Sequence, residues 1–190
     1  MFNHLARWCE GRNGFVRIPF LIGFLYIFLK LLRDPAYQSI LGALNLGIHE
    51  FGHLLFSPLG EFMGVAGGTI TQLAVPFYGM YNFYRQDDYF SIVLCGGWLS
   101  TNFYNVAIYA ADARAMALPL VSPFGGDVYH DWNYLLAQTG LLNSDTMIGG
   151  IFRMLGFLSM TVTLALGSWM VWLMMFHRSV KGDTNDVGTT

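Results

Sequence analysis

Charged side chains are scarce in this sequence, and the few present are nearly balanced in sign. Only 12% of the 190 residues are charged, about half the share of an ordinary soluble domain. Ten Lys and Arg residues stand against twelve Asp and Glu residues, and the net charge of -2 leaves no basic footprint for nucleic acid. We therefore expect no nucleic-acid partner. The 54% share of hydrophobic residues favours membrane lipid as a partner instead.

Cysteine is nearly absent as well. Cys9 and Cys95 lie far apart in the sequence, in different kinds of segment, and neither belongs to a CxxC pair. We expect two unpaired thiols rather than a disulfide. A metal site built from cysteines is excluded for the same reason.

Long apolar runs dominate what the sequence does contain. A helix needs roughly 20 apolar residues to cross a bilayer, and five runs approach this length, at residues 15–32, 38–56, 69–84, 89–111 and 148–176. We predict a glycine-rich link at 59–68 and a short helix at 128–136, between the fourth and fifth spans, with Asp127 as its N-cap. The predicted fold class is all-α, a polytopic integral membrane protein with about five transmembrane helices, located in a bacterial cytoplasmic membrane.

Three regions follow from this pattern. Residues 1–14 form a polar N-terminal arm, residues 15–177 a transmembrane helical domain with an embedded metal site, and residues 178–190 a polar C-terminal tail. The first apolar run is too long for the apolar part of a signal peptide, and no small-residue cleavage site is evident. We therefore expect it to be a span.

The middle of the second run carries an unexpected polar group. His49, Glu50 and His53 lie in the segment HEFGH, inside a stretch that is otherwise suited to hydrocarbon. On a helix His49 and His53 point the same way, so one metal ion can take both imidazoles. Glu50 lies on the adjacent flank, where it can take a proton from a metal-activated water. The alternative is a cluster of hydrogen bonds between helices, with the histidines as its members.

A catalytic zinc usually takes three protein ligands, so one more is needed. His130 and Asp131 are the candidates, early in the predicted short helix. Neighbours on a helix diverge by about 100°, so only one of them can face the metal, and the other can orient a ligand. An ordinary capped surface helix is the alternative for this pair. We expect His4 and His177, in the terminal segments, to be surface residues.

A polar stripe marks the fourth run. Its members are spaced three, four and three residues apart, on one helical face: Asn102, Asn105, Tyr109 and Asp112. They can form a wall of the active-site cavity, with Asn102 or Asn105 binding a substrate backbone or an oxyanion. Hydrogen bonding between helices explains them equally well. For Thr69, Thr71 and Gln72 the same two interpretations arise, and we favour hydrogen bonding between helices.

Taken together, residues 38–136 resemble the site-2 protease family of intramembrane zinc metalloproteases. The resemblance is carried by HEFGH in an apolar helix, a glycine-rich segment after it and a later aspartate near the membrane. It implies that His49 and His53 are zinc ligands and that Glu50 is the base that activates water. In that family the third ligand is an aspartate on a later membrane helix, and Asp131 is the matching position here.

The function predicted from these observations is that of an intramembrane zinc metalloendopeptidase. It would hold one zinc ion and hydrolyse a membrane-associated peptide or protein. The main alternative is an accessory or structural subunit of a larger membrane complex, which retains a protease-like fold without proteolysis. A metal-dependent enzyme that acts on lipid is a third interpretation.

Overall fold

The computed structural model describes residues 2–119 and 130–176, and all regular structure in that part of the chain is helical. The α-helices are α1 (Phe2–Cys9), α2 (Ile18–Arg33), α3 (Gly42–Phe56), α4 (Glu61–Arg85), α5 (Tyr89–Ala111), α6 (Asp131–Gln138) and α7 (Asp145–Phe176). Short 3-10 turns are Phe15–Arg17, Ser57–Leu59 and Leu142–Ser144. The predicted cap Asp127, the start of the predicted short helix, His177 and the C-terminal tail lie outside the described residues.

Helices α5 and α7 pack antiparallel through small residues. The Ser100 hydroxyl donates to the carbonyl oxygen of Gly156 at 2.7 Å, and the Ser159 hydroxyl donates to that of Gly96 at 2.8 Å. A Cβ added to Gly156 would lie 2.9 Å from the ring of Tyr104. Small residues allow this close approach of two helix backbones, which brings serine hydroxyls within reach of the opposite carbonyls.

The N-terminal arm packs against α2, α5 and α7 and contributes to a hydrophobic core there. Helix α1 places Cys9 among buried residues of α2, α5 and α7, including Leu21, Phe90 and Met170. Its residues His4 and Arg7 are exposed. Cys9 and Cys95 are both buried and unpaired, which confirms the expectation of two free thiols.

The prediction of a polytopic protein with about five membrane spans is wrong. Among the described residues only two stretches, Phe15–Arg33 and Leu142–Phe176, are long and apolar enough to cross a membrane. The core helix of a soluble protein and a signal sequence near the N-terminus meet the same criterion. The fold is therefore all-helical, with two candidate spans.

Helices α3, α4 and α5, which follow the first of these stretches, overlap the second, third and fourth apolar runs, but they do not have the character of spans. Helix α3 has 15 residues, which extend about 22 Å at 1.5 Å per residue, short of a bilayer core of about 30 Å. Helices α4 and α5 turn polar side chains inward, among them Gln72, Thr101 and Asn102. The run at 89–111 matches α5 and the run at 38–56 contains α3, whereas α4 begins at Glu61, before the run at 69–84. Several polar side chains of these helices are buried.

The predicted glycine-rich link at 59–68 is also wrong for most of its length. Helix α4 begins at Glu61 and continues through Pro76. Glycine lowers helix propensity, but here it permits contact between two helices. A Cβ on Gly52 of α3 would overlap the carbonyl oxygen of Gly67, and a Cβ on Gly67 would lie 2.5 Å from that of Gly52. The glycines bring the two backbones together, and only Gly60, with φ of 96°, has a turn conformation.

Candidate metal centre

Three side chains from two helices converge on one point. The Nε2 atom of His49 lies 2.9 Å from Oδ2 of Asp131, and the Nε2 atom of His53 lies 3.3 Å from the same oxygen. One ligand atom from each residue lies within 4.8 Å of the other two. Ligand atoms about 2.0 to 2.2 Å from a tetrahedral zinc are about 3.3 to 3.5 Å apart, so a small outward shift would accommodate an ion. The described group could therefore hold a metal ion.

The outer hydrogen bonds of the histidines orient both rings. The Nδ1 atom of His53 lies 2.9 Å from the carbonyl oxygen of Gly64, and the Nδ1 atom of His49 lies 3.0 Å from Oε1 of Gln72. A carbonyl oxygen only accepts, so the Nδ1 atom of His53 carries a hydrogen and donates it. Bonds of this kind fix the tautomer and direct the Nε2 lone pair of metal-binding histidines. Both Nε2 atoms are thus left to face Asp131.

The Nε2 atoms of His49 and His53 and the carboxylate of Asp131 can lie this close together only if a positive charge lies between them. Two imidazole lone pairs and a carboxylate repel one another unless a proton or a metal ion lies between them. In the absence of metal, the hydrogen bond with Asp131 raises the pKa of His53 to about 9, against the opposing effect of burial. Burial favours the neutral acid of Asp131, but hydrogen bonds with His49 and His53 hold its pKa below the ordinary value.

Gly68 leaves the space that an ion would need. A Cβ at this position would lie 2.7 Å from Nε2 of His49 and 2.7 Å from Nε2 of His53. Gly64, Gly68 and Gln72 are spaced four apart on α4, and so share the face opposite the two histidines. Along this face of α4, Gly64 supplies a hydrogen-bond acceptor, Gly68 leaves an open space and Gln72 supplies a second acceptor.

Helix α6 decides between the two candidates for the third ligand. His130 is the N-cap of this helix, and its Nδ1 atom accepts from the backbone N–H of Asn133 at 3.2 Å. Its Nε2 atom lies 3.3 Å from Oδ2 of Asp112. Both ring nitrogens are thus engaged away from the histidine pair. The structure brings Asp131, and not His130, to His49 and His53.

Tyr109 connects α5 to this arrangement. The backbone N–H of Asp131 donates to the Tyr109 hydroxyl at 3.1 Å. The Tyr109 ring lies 4.4 Å from that of His130 and 6.3 Å from that of His49, measured between ring centroids. Burial, followed by the nearby carboxylate of Asp131, raises the pKa of Tyr109 well above its usual range. The phenol therefore stays protonated beside the metal group.

A cleft of about 1060 Å³ opens onto the group. Its walls come from α3, α4 and α5, with apolar residues such as Leu46 and Val106 and polar residues such as Asn105. Pockets for small ligands commonly measure about 300 to 1,000 Å³, so a peptide segment would fit. Glu50 lines the cleft and is half-buried, and its carboxylate makes no hydrogen bond or ion pair within the described part of the chain.

Hydrogen bonds between the side-chain amides of Asn45 and Asn105 determine which atoms of Asn105 can reach the cleft. The indole N–H of Trp98 donates to Oδ1 of Asn45 at 2.8 Å, and an indole nitrogen can only donate. The amide nitrogen of Asn45 must therefore face Asn105, where it donates to Oδ1 at 2.8 Å. Since its oxygen is used in this way, Asn105 retains N–H donors beside the cleft.

The other predicted amide lies elsewhere. Asn102 is fully buried and does not line the cleft. Its amide nitrogen donates to the carbonyl oxygen of Trp98 at 3.1 Å. Of the two asparagines proposed to bind substrate, the structure places only Asn105 at the cleft.

Several residues of the centre were predicted only in part. Tyr109 was predicted as a possible member of a cavity wall or of a hydrogen-bonded helix contact, and Gln72 likewise with the helix contact favoured. Their contacts with His49 and Asp131 depend on packing between distant helices. Gly64 and Gly68 were assigned to a link. Their spacing of four, equal to that of His49 and His53, is the signal that could have identified a matching helical face.

Comparison with protein-family models, with curated proteins and with solved structures gives no match for this chain. Fold and site together define an all-helical protein with two candidate membrane helices and a His–His–Asp group that could bind a metal ion.

Proposed function

We propose that this protein is a zinc-dependent endopeptidase of the site-2 protease type, which hydrolyses a membrane-associated peptide. One observation carries the proposal. His49, His53 and Asp131 converge beside a cleft. Glu50 lines the same cleft, and its carboxylate has no hydrogen bond or ion pair among residues 2–119 and 130–176. Two imidazoles, a carboxylate ligand and a second carboxylate that can act as a base are a set suited to metal-assisted hydrolysis.

Zinc suits the donor set and the chemistry. Three protein ligands leave the fourth position of a tetrahedral ion for water, as catalytic zinc sites do. Two histidines and one carboxylate also suit ferrous iron. The position of Glu50, next to His49 in the sequence and at the cleft, favours hydrolysis, because a base is needed there to take a proton from water.

The residues of the chain divide the reaction between them. A bound zinc ion would lower the pKa of water and polarise the peptide carbonyl. Glu50 takes one proton as the water oxygen bonds to the carbonyl carbon, and it returns that proton to the leaving nitrogen as the C–N bond breaks. Asn105 can donate to the substrate backbone. The products are a carboxylic acid and an amine, so no oxidant or co-substrate is required.

The membrane association is supported by the outer face of α2. Six large side chains of this helix are between 45% and 60% exposed: Phe20, Ile22, Leu25, Tyr26, Leu29 and Leu32. A continuous apolar surface of this kind is rare on soluble monomers and favours contact with lipid or protein. We propose that Phe15–Arg33 and Leu142–Phe176 anchor the protein in a bilayer and present the cleft to membrane-associated peptides.

The test is Glu50→Gln, with Glu61→Gln as the matched control, because Glu61 lines the same cleft without contacting the metal group. We expect about one zinc per chain in the wild type and in both variants. Cleavage of an apolar peptide library in detergent micelles, read by mass spectrometry, should fall about 10²- to 10⁴-fold in Glu50→Gln only. A metal-free wild type, or a fully active Glu50→Gln variant, would disprove the proposal.

The accessory-subunit alternative has one observation in its favour. The exposed apolar side chains of α2 would suit partner helices as well as lipid. Gentle solubilisation followed by sizing distinguishes the two. A chain that purifies alone and remains stable argues against obligate assembly, whereas co-purification with fixed partners and no peptide cleavage favours the accessory role.

A further inference from the structure

The hydrogen-bonding capacity of Tyr109 is only half used in the structure. Its hydroxyl oxygen accepts from the backbone N–H of Asp131 at 3.1 Å. A backbone N–H can only donate, so the phenolic proton must point elsewhere. Within the described ranges, no side chain or carbonyl accepts this proton. A donor beside the metal group is therefore available to a ligand.

The position of this hydroxyl is well defined. The ring of Tyr109 packs against His130, which is itself held by Asp112 and by the backbone of Asn133. Tyr109 also lines the cleft, one helical turn beyond Asn105. The two residues thus present donors from the same face of α5, whereas Glu50 belongs to α3. Base and donors come from different walls of the cleft.

We propose that the Tyr109 hydroxyl donates a hydrogen bond to the carbonyl oxygen of the scissile peptide as negative charge develops there. The inference rests on the proposed function, and it assigns Tyr109 as a catalytic residue of that reaction. As the water oxygen bonds to the carbonyl carbon, the electron pair of the C=O double bond moves to oxygen. The Tyr109 hydroxyl then stabilises that oxygen without transferring its proton, and the electron pair re-forms C=O as the C–N bond breaks.

The hydrogen bond from Tyr109 should be stronger in the transition state than in the reactant, because negative charge develops on the carbonyl oxygen. A neutral carbonyl gains little from one more donor, whereas a hydrogen bond to a charged oxygen contributes more. Donors aimed at the position of the developing charge lower the barrier because they strengthen as the reaction proceeds. The binding affinity of a tetrahedral anion should therefore depend on the Tyr109 hydroxyl, whereas that of a planar peptide should not.

The experiment compares Tyr109→Phe with Tyr104→Phe in the full chain loaded with zinc. Tyr104 lies on the same helix but is buried against α7, away from the cleft. The probes are N-phosphoryl-Leu-Phe, whose phosphoryl group is a tetrahedral anion, and acetyl-Leu-Phe-amide, which is planar. Zinc content and affinity are measured on the same samples.

We expect Tyr109→Phe to weaken binding of the phosphoryl probe about 10- to 100-fold, the range for a hydrogen bond to a charged group. Binding of the planar probe should change less than about threefold, zinc affinity should be unchanged, and Tyr104→Phe should match the wild type.

The remaining outcomes overturn the inference in different ways. Equal phosphoryl affinity in Tyr109→Phe and the wild type would show that the hydroxyl donates to no ligand. A loss of zinc affinity, or an equal weakening of both probes, would show that Tyr109 only positions Asp131. A wild type without zinc would contradict the proposed function itself, and the inference would fail with it.

Discussion

The α3–α4 and α5–α7 contacts both depend on glycine, and they use the resulting space differently. Between α5 and α7, Gly156 lets the ring of Tyr104 and the hydroxyl of Ser100 close against the helix backbone. Between α3 and α4, Gly52 and Gly67 bring the two helix backbones into direct contact. The next residue of α4, Gly68, faces two imidazole nitrogens instead.

The difference shows how a close contact can create a site. In the α5–α7 contact the space is filled, and the result is a rigid pair of helices. In the α3–α4 contact the glycines draw the histidines towards α4, where Gly64 and Gln72 bind their outer nitrogens. The inner nitrogens are then held beside Gly68, which has no side chain, and they face the carboxylate of Asp131. The same residue type thus supports packing in one contact and a group that could bind a metal ion in the other.

The largest expected effect is on metal binding, in Gly68→Ala. The added Cβ would lie 2.7 Å from both Nε2 atoms, and the rings can retreat only by breaking their outer hydrogen bonds. We expect zinc affinity to fall by more than the roughly 100-fold that loss of a supporting contact can cost. Zinc content after dialysis against a competing chelator measures the effect.

Gly47→Ala is the matched control, because a Cβ at Gly47 of α3 meets nothing within 4 Å. It should retain the zinc affinity of the wild type. A Gly68→Ala protein that binds zinc as tightly as this control would show that the space beside Gly68 is not the metal position.

A smaller effect is expected from Gln72→Ala. This change removes the acceptor for Nδ1 of His49, so the ring loses its orientation and some of its basicity. Supporting contacts of this kind contribute about 10- to 100-fold to metal affinity, and chelator competition at equilibrium would measure the loss. Gln86→Ala, at the exposed end of α4, should leave the affinity unchanged. Equal affinities in the two variants would contradict a role for Gln72 at the centre.

The smallest effect is expected in the α5–α7 contact, and it concerns the free energy of unfolding. In Gly156→Ala the new Cβ crowds the ring of Tyr104 at 2.9 Å, and we expect a loss of about 1 to 2 kcal/mol in unfolding free energy. Metal affinity should not change. Gly150→Ala, whose Cβ meets nothing within 4 Å, should be neutral or stabilising, since alanine favours helix. Thermal unfolding in detergent tests both, and an unchanged Gly156→Ala would mean that Tyr104 yields freely.

Most of the helices could be predicted from the sequence, but α1 lies in the predicted polar arm and the first two turns of α4 lie in the predicted link. The run at 89–111 coincides with α5, and the second and fifth runs contain most of α3 and α7. The prediction that each run crosses a membrane was wrong, because the amount of apolar sequence does not reveal which face is covered. In α3, α4 and α5 some buried polar residues, such as His49 and Gln72, belong to the candidate metal centre, and others, such as Ser100, bond a neighbouring helix.

The histidine pair was fixed by local geometry, since a spacing of four places two rings on one side of any α-helix. The third member of the group was not fixed by local geometry. His130 and Asp131 are adjacent, and the structure shows His130 as the N-cap of α6 and Asp131 in contact with His49 of α3. The asparagines were similarly ambiguous until the hydrogen bond from Trp98 to Asn45 fixed the orientation of the amides.

By itself, therefore, the sequence determined the position of most helices and one pair of imidazole nitrogens that could bind a metal ion, because both depend on residues within a few turns of one another. Tertiary structure decided which acid completes the group and which amide and phenol face the cleft. Within residues 2–119 and 130–176 it also left two helices, rather than about five, with the character of membrane spans. The composition of the group and of the cleft depends on which surfaces of distant helices meet, and no local pattern in the sequence specifies that.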